Sequence, residues 1–263
     1  ANFAITTQHG AFAYGGMPAI MSKGTHEEKG KYLKDLFEKT YIADIVERHR
    51  MLNDKAVLEV LLDFISAAVG SLTNAAKLSK TFDGVKHVKI APQTVSAYLD
   101  YFVDAFLVSK SYRYDIKGKR RMGSPWKCYF ADVGLRNARL NFRRQEENRV
   151  MENIMYNELA AREYDIDVGS VEYNFKRAGK SQRAQLEVDF VANKGSKRYY
   201  IQSAPTVAEE EKRMRETNPL NRISDSFKKI VVVKDDMIPW HDENGVLYVA
   251  VTQFLLDEEA MDI

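Results

Sequence analysis

One acidic residue is placed where it could do chemistry. In Leu186-Glu187-Val188-Asp189-Phe190-Val191, Asp189 sits mid-run in a segment that alternates apolar and polar with period 2. A polar, Gly-containing turn over 193–197 leads into a second such run, Arg198-Tyr199-Tyr200-Ile201-Gln202-Ser203-Ala204, so the pair reads as a β-hairpin. Leu186, Val188 and Phe190 are expected on one face, with Glu187 and Asp189 on the other. A carboxylate held mid-strand is costly unless it meets solvent, a partner or a metal. Upstream, Met151, Ile154, Met155 and Leu159 form a helical stripe over 149–163, with Glu158 in its middle and Glu152 on its flank.

A second chemical signal is charge. The whole chain carries only +2, but residues 110–150 hold twelve Lys and Arg against Asp115, Asp132, Glu146 and Glu147, a local excess of +8. Tyr112, Tyr114 and Trp126 interleave with them. Lys117, Lys119, Arg120, Arg121 and Lys127 form a basic turn with aromatics, a nucleic-acid footprint whose bland counterpart is a solvated or protein-facing patch. Asp100 and Asp104 on the preceding helix would repel phosphates and argue against major-groove reading by that helix.

At 263 residues and 45% hydrophobic content the chain can bury sizeable cores in one large domain or two to three small ones. A single cysteine, Cys128, excludes an internal disulfide framework and suits a reducing compartment. No apolar run reaches transmembrane length and residues 1–25 lack a signal-peptide layout, so a cytoplasmic location without membrane contact is expected. The chain does not begin with Met, which reads as a processed or truncated polypeptide. The five histidines fall in no metal-ligand spacing.

The elements that must position these groups follow in order. Gly15-Gly16-Met17-Pro18 makes a turn, and Thr25 with Glu28 makes a capping box opening a helix with Leu33, Phe37, Ile42 and Ile45 inward. Asp54 is expected to cap the next helix, which stops at Gly70, and a shorter helix covers 73–79. Pro92 opens a third helix with the stripe Val95, Tyr98, Leu99, Phe102, Val103 and Phe106. Two β-like runs, 107–116 and 126–130, complete a winged-helix pattern. Beyond the helix over 149–163 come strands at 171–175, 187–191 and 199–203 and a helix over 207–215 broken by Asn218-Pro219. A short helix at 224–227, strands at 229–233 and 246–251 and a terminal helix end the chain, so an α/β layer with a mixed sheet is expected.

This order, with a helix carboxylate and a hairpin Asp, resembles the PD-(D/E)XK nuclease fold. The segments Gly15-Gly16-Met17-Pro18, Tyr41-Ile42-Ala43-Asp44-Ile45-Val46-Glu47-Arg48, Thr94-Val95-Ser96-Ala97-Tyr98-Leu99, Tyr129-Phe130-Ala131-Asp132-Val133-Gly134-Leu135-Arg136, Glu152-Asn153, Asn157-Glu158-Leu159 and Glu187-Val188-Asp189-Phe190 occur in one order. Together they resemble the prokaryotic AAA-type ATPases whose C-terminal half is a domain of unknown function. The resemblance implies a helical lid remnant over 1–52, a winged-helix-like domain over 53–145 and a degenerate nuclease-like α/β domain over 146–263. It also implies an ATPase domain, with ATP and Mg, upstream of Ala1. The nearest phosphate-loop match, residues 174–181, has Asn174 at the first Gly position and is followed by a strand, so it reads as a basic hairpin tip.

By the same resemblance, Asp189 and Glu158 would be the acids that hold Mg in an active nuclease, and Gln202 and Ala204 stand where an acid and a Lys are usual. Gln202 offers only a neutral oxygen and Ala204 offers nothing. The site is therefore expected to be degenerate, with no cofactor in this stretch of chain and a role in presenting a surface to nucleic acid or a protein partner. The alternatives are a metal-dependent nuclease using Asp189 and Glu158, and a pure protein-interaction module.

Overall fold

The computed structural model describes residues 8–51, 54–143, 146–177 and 180–263. It is a mixed α/β protein whose strands form one eight-stranded mixed sheet. The chain divides into two units, Ala1–Lys110 with Trp126–Ile154, and Ser111–Pro125 with Met155–Ile263. This differs from the division expected near residue 145. Residues 111–125, the outer part of the middle hairpin, group with the second unit, where Arg113 pairs with Val168, 55 residues later.

In the first unit, helices α1 (Gln8–Tyr14), α2 (His26–Leu36) and α3 (Ala43–Arg48) lead to α4 (Lys55–Ala67), α5 (Ala75–Lys86) and α6 (Pro92–Asp104). A π turn over Phe37–Ile42 joins α2 to α3, so the expected long helix is continuous but locally widened. The capping box forms: Glu28 N–H donates to Thr25 Oγ1 (3.2 Å) and Thr25 N–H to Glu28 Oε2 (3.1 Å). Asp54 stands at the N-cap of α4 without a side-chain cap bond, contrary to expectation. Asn74 caps α5, which runs to Lys86, well past the expected end at 79. Pro92 opens α6 as expected, and Val95, Tyr98, Leu99 and Phe102 are buried. Phe106 lies beyond the helix in a left-handed conformation, is 83% exposed, and so leaves the stripe.

Strands β1 (Val108–Asp115) and β2 (Arg120–Phe130), then α7 (Val133–Arg139) and α8 (Glu147–Ala161), carry the chain onward. In the second unit β3 (Asp165–Arg177), β4 (Lys180–Lys194), β5 (Lys197–Ala204), β6 (Lys228–Val233), β7 (Trp240–His241) and β8 (Leu247–Ala250) extend the sheet in the order β2-β1-β3-β4-β5-β6-β8-β7. β3, β4 and β5 are antiparallel neighbours, whereas β1–β3, β5–β6 and β6–β8 are parallel. Helix α9 (Glu210–Asn221) supplies Leu220 to a core with Val171, Val188, Val191, Tyr200, Ala204, Val231 and Tyr248. Pro219 does not break α9 but lies within its last turn, where a proline removes a single ladder bond and the ring is buried. Residues 224–227 are not helical, and α10 (Val251–Leu256) follows β8 directly.

The N-terminal turn of the first unit is fastened by Asp132. Its Oδ1 accepts from Gly134 N–H (2.7 Å) and Leu135 N–H (3.2 Å), capping α7, and its Oδ2 accepts from Gly16 N–H (2.8 Å). Burial pushes this carboxyl upward, opposed by its backbone N–H donors. Asn137 Nδ2 adds bonds to the Phe12 and Ala13 carbonyls at 2.9 Å. Here α1 and α7 approach so closely that a Cβ on Gly134 would lie 2.0 Å from the Tyr14 carbonyl oxygen. Gly134→Ala is therefore expected to destabilise the protein by about 1–3 kcal/mol, the usual cost of overpacking. Thermal unfolding checks this, and an unchanged Tm would mean that α1 shifts at no cost.

Candidate functional site

Asp189 stands at a double irregularity in the sheet. Asp167 pairs with Val191 and Gly169 with Val188, so Asp189 and Phe190 together oppose Val168 as a β-bulge. The bulge breaks the expected alternation: Val188 and Val191 join the same core, which strict period 2 would forbid. Gly169 permits it, since a Cβ there would lie 2.8 Å from Val188 Cβ and 3.0 Å from Val191 Cγ2. On the other side, the β4–β5 ladder ends at Phe190 opposite Ile201.

Where that ladder ends, side chains make the next bonds. Asp189 N–H donates to Gln202 Oε1 (3.3 Å), and Ser203 N–H donates to Asp189 Oδ2 (2.9 Å). Gln202 Nε2 donates to Glu216 Oε2 (3.3 Å), and Glu216 of α9 pairs with Arg215 at 3.5 Å. The carboxamide orientation is dictated by its neighbours, because a backbone N–H needs an oxygen and a carboxylate needs an N–H. Asp189 and Gln202 are both buried. Burial first, and the Asp189 charge second, push the Glu216 carboxyl upward, against the bonds from Gln202 and Arg215.

This cluster holds Asp189 and Gln202 of the expected constellation and adds one member, Glu216. The helix carboxylate brought to Gln202 is Glu216, a residue with no motif around it; its only sequence signal is an acid one helical turn from the buried Leu220. Glu158 is committed to Arg162 at 2.7 Å, whose guanidinium also donates to the Phe254 carbonyl at 2.6 Å. Glu152, the flanking candidate, accepts from Lys127 Nζ (2.7 Å) and Tyr129 O–H (2.6 Å) in the first unit. Among the described residues no three His, Cys, Asp or Glu gather as a metal-holding group. The donor set at Asp189 does not fit a hard cation: the carboxamide turns N–H groups toward Glu216 and spends its oxygen on a backbone donor.

The basic turn is also smaller than its charge count. Lys127 is 1% exposed and lies in the core on Glu152, so it is no phosphate contact. Arg136 is fully buried, Arg139 is bound to Asp63 at 2.6 Å, and Lys110 is bound to Asp100 at 2.6 Å. Arg144, and Ala178-Gly179 of the near phosphate loop, lie outside the described residues. Arg121 is 53% exposed but holds the buried Asp167 with both carboxylate oxygens, at 2.8 and 3.1 Å. Burial nonetheless keeps the Asp167 carboxyl above its ordinary range. Lys117, Lys119 and Arg120 remain exposed on the β1–β2 turn, with Lys117 Nζ on the Glu172 carbonyl (2.8 Å).

The raised Glu216 carboxyl yields a prediction. A folded pKa above the unfolded 4.5 gives stability that is complete below pH 4.5 and lost as pH rises through the folded value. Glu216→Gln is therefore expected to raise Tm at neutral pH relative to the parent, with the difference shrinking toward pH 4.5. A pH-independent difference in thermal melts would contradict the assigned cause.

Comparison with known proteins places these features in context. The family model described as a domain of unknown function, DUF8612, matches residues 6–146. An "Uncharacterized protein" of Haemophilus influenzae is 31% identical over 219 residues, covering 83% of this chain and 50% of the relative. "Uncharacterized protein MJ1544" of Methanocaldococcus jannaschii is 32% identical over 151 residues, covering 57% of this chain and 32% of the relative. The chain thus spans about half the length, or less, of these curated relatives. Among solved structures, protein VC1899 from Vibrio cholerae aligns with 86% of this chain and 53% of its own at 11% identity, with a TM-score of 0.26. A likeness that low carries no argument. The family match spans more than half of the chain, so the protein belongs to the DUF8612 family of domains of unknown function.

Proposed function

We propose that this chain is the non-catalytic recognition portion of a larger AAA-type ATPase, presenting a nucleic-acid-binding surface. The observation that carries the reading is the Gln202 carboxamide, which bridges Asp189 and Glu216 where a metal nuclease would need an open, anionic oxygen cage. Two acids remain beside the end of the β4–β5 ladder, but their geometry is maintained by a neutral side chain and backbone N–H groups. Such a site is a structural fastening rather than a reaction centre.

The finer architecture in this reading rests on the sequence resemblance. Helices α4, α5 and α6 followed by the β1–β2 hairpin are the winged-helix-like part, and α8 with β3–β6 is the nuclease-like part. ATP and its Mg ion are assigned to the portion of the relatives' length outside this chain. The surface offered to nucleic acid is the β1–β2 turn, with Lys117, Lys119 and Arg120 free of the buried commitments that occupy Arg121 and Lys127.

Two measurements on the purified chain test this. Supercoiled DNA incubated with manganese is expected to stay intact; nicking that disappears in Asp189→Asn would install the nuclease reading instead. Duplex DNA binding is expected to weaken with salt, and Lys117→Gln, Lys119→Gln and Arg120→Gln together should lower the log–log salt slope by about 2 to 3, near one unit per phosphate contact. An unchanged slope would move this turn to a protein-facing role.

A further inference from the structure

The basic β1–β2 turn has an aromatic neighbour. Lys117 Nζ donates to the Glu172 carbonyl at 2.8 Å, which seats the turn beside β3, one residue before Tyr173. Beyond this point the flanking strands have left. The β1 pairing ends with Asp115 opposite Ser170, and β5 pairs with β4 only from Phe190 to Lys194. Among the described residues the β3–β4 ladder continues as a two-stranded ribbon through Tyr173–Ala184 and Phe175–Gln182.

Alternation places Val171, Tyr173 and Phe175 on one face of that ribbon, with their partners Leu186, Ala184 and Gln182. Val171 is fully buried, Tyr173 and Phe175 are half-buried and Gln182 is exposed, so an apolar face runs from the core out into solvent. The two rings lie side by side, with centroids 5.8 Å apart and planes at 35°. Arg222, an exposed residue just past α9, lays its guanidinium 4.0 Å over the Tyr173 ring. Its Nε donates to Asn218 Oδ1 at 2.9 Å, and among the described residues no carboxylate reaches ion-pairing distance of it.

We propose that this face stacks the unpaired bases of a single-stranded nucleic acid. Bases would lie on Phe175 and on the Arg222–Tyr173 pair, with phosphates on Arg222 and on the adjoining β1–β2 turn. The inference rests on the nucleic-acid reading above and adds the form of nucleic acid and the platform that engages it. Every base has a π face that aromatic rings and guanidinium planes can stack on. In a duplex those faces are taken up by neighbouring base pairs, so rings on an open sheet face select unpaired strands. Charge selects the same partner. Residues 173–186 carry four cations and no Asp or Glu, and an apolar protein segment laid here would desolvate Arg222 without supplying an acid.

The test uses the full chain with a labelled oligothymidylate and a labelled duplex of equal length, reading anisotropy over a salt series. The parent is expected to bind the single strand at least about tenfold more tightly than the duplex, since stacking adds to the phosphate contacts. Phe175→Leu keeps an apolar side chain on the ribbon and removes the π face. It should weaken single-strand binding about fivefold or more, with duplex binding and Tm unchanged. Arg222→Lys keeps the charge and loses the plane, so it should cause the same selective loss at an unchanged salt slope. Because Arg222 is exposed, that variant keeps the test decisive should Phe175→Leu lower Tm. Single-strand binding that both variants leave at the parent's strength overturns the platform and gives this face to a protein partner. Losses of equal size on both nucleic acids overturn the selection of unpaired bases. In either case a duplex affinity that depends on Lys117, Lys119 and Arg120 leaves the recognition reading standing. If the parent binds neither form at low salt, both readings fail.

Discussion

At Asp189 and Gln202 the β4–β5 ladder stops, and the backbone groups beyond it must still find partners. Asp189 N–H turns to the Gln202 carboxamide and Ser203 N–H turns to the Asp189 carboxylate. These two bonds let the strands part without stranding buried donors, and they follow directly from the bulge opposite Val168. From α9, Glu216 reaches the same point, where Gln202 holds it at 3.3 Å. Replacing the carboxamide by an apolar group would leave the Asp189 N–H and the Glu216 carboxylate without it, and each such loss of a buried partner costs about 1–3 kcal/mol. The polar chain of Asp189, Gln202 and Glu216 therefore takes over where the β4–β5 ladder stops.

Local signals were legible in the sequence; non-local ones were not. The capping box at Thr25, the proline start of α6 and the hairpin around Gly195 each depend on a few adjacent residues, and each forms. The bulge was invisible because counting alternation over 186–191 assumes one residue per partner residue, and here two face one. Asn218-Pro219 reads as a helix stop, which ends the expected helix at 215 and leaves Glu216 outside it. Tertiary burial of Pro219 and Leu220 carries α9 on to Asn221, and that helix presents Glu216. The β1–β2 hairpin was read as a free wing because nothing local announces its parallel pairing with β3.

Charge illustrates the same divide. A run of twelve cations along the sequence is not a surface: Lys127 compensates Glu152 in the core, Arg136 donates to the Ser66 carbonyl, and Arg121 neutralises buried Asp167. Buried pairs of this kind add little net stability but are costly to break from one side. Of these cations, Lys117, Lys119 and Arg120 stay exposed on the β1–β2 turn.

Gln202 joins the Asp189 N–H to the Glu216 carboxylate, so a neutral carboxamide stands where a metal site would need an anionic oxygen. Thermal unfolding of the parent and of Gln202→Glu, each with and without millimolar manganese, tests it most directly. The parent Tm is expected to be indifferent to manganese. The variant, in which three carboxylates come together, is expected to show a lowered Tm and a saturable rise when the cation is added. A parent Tm that itself rises saturably with manganese, and does so no longer in Asp189→Asn, would contradict the account.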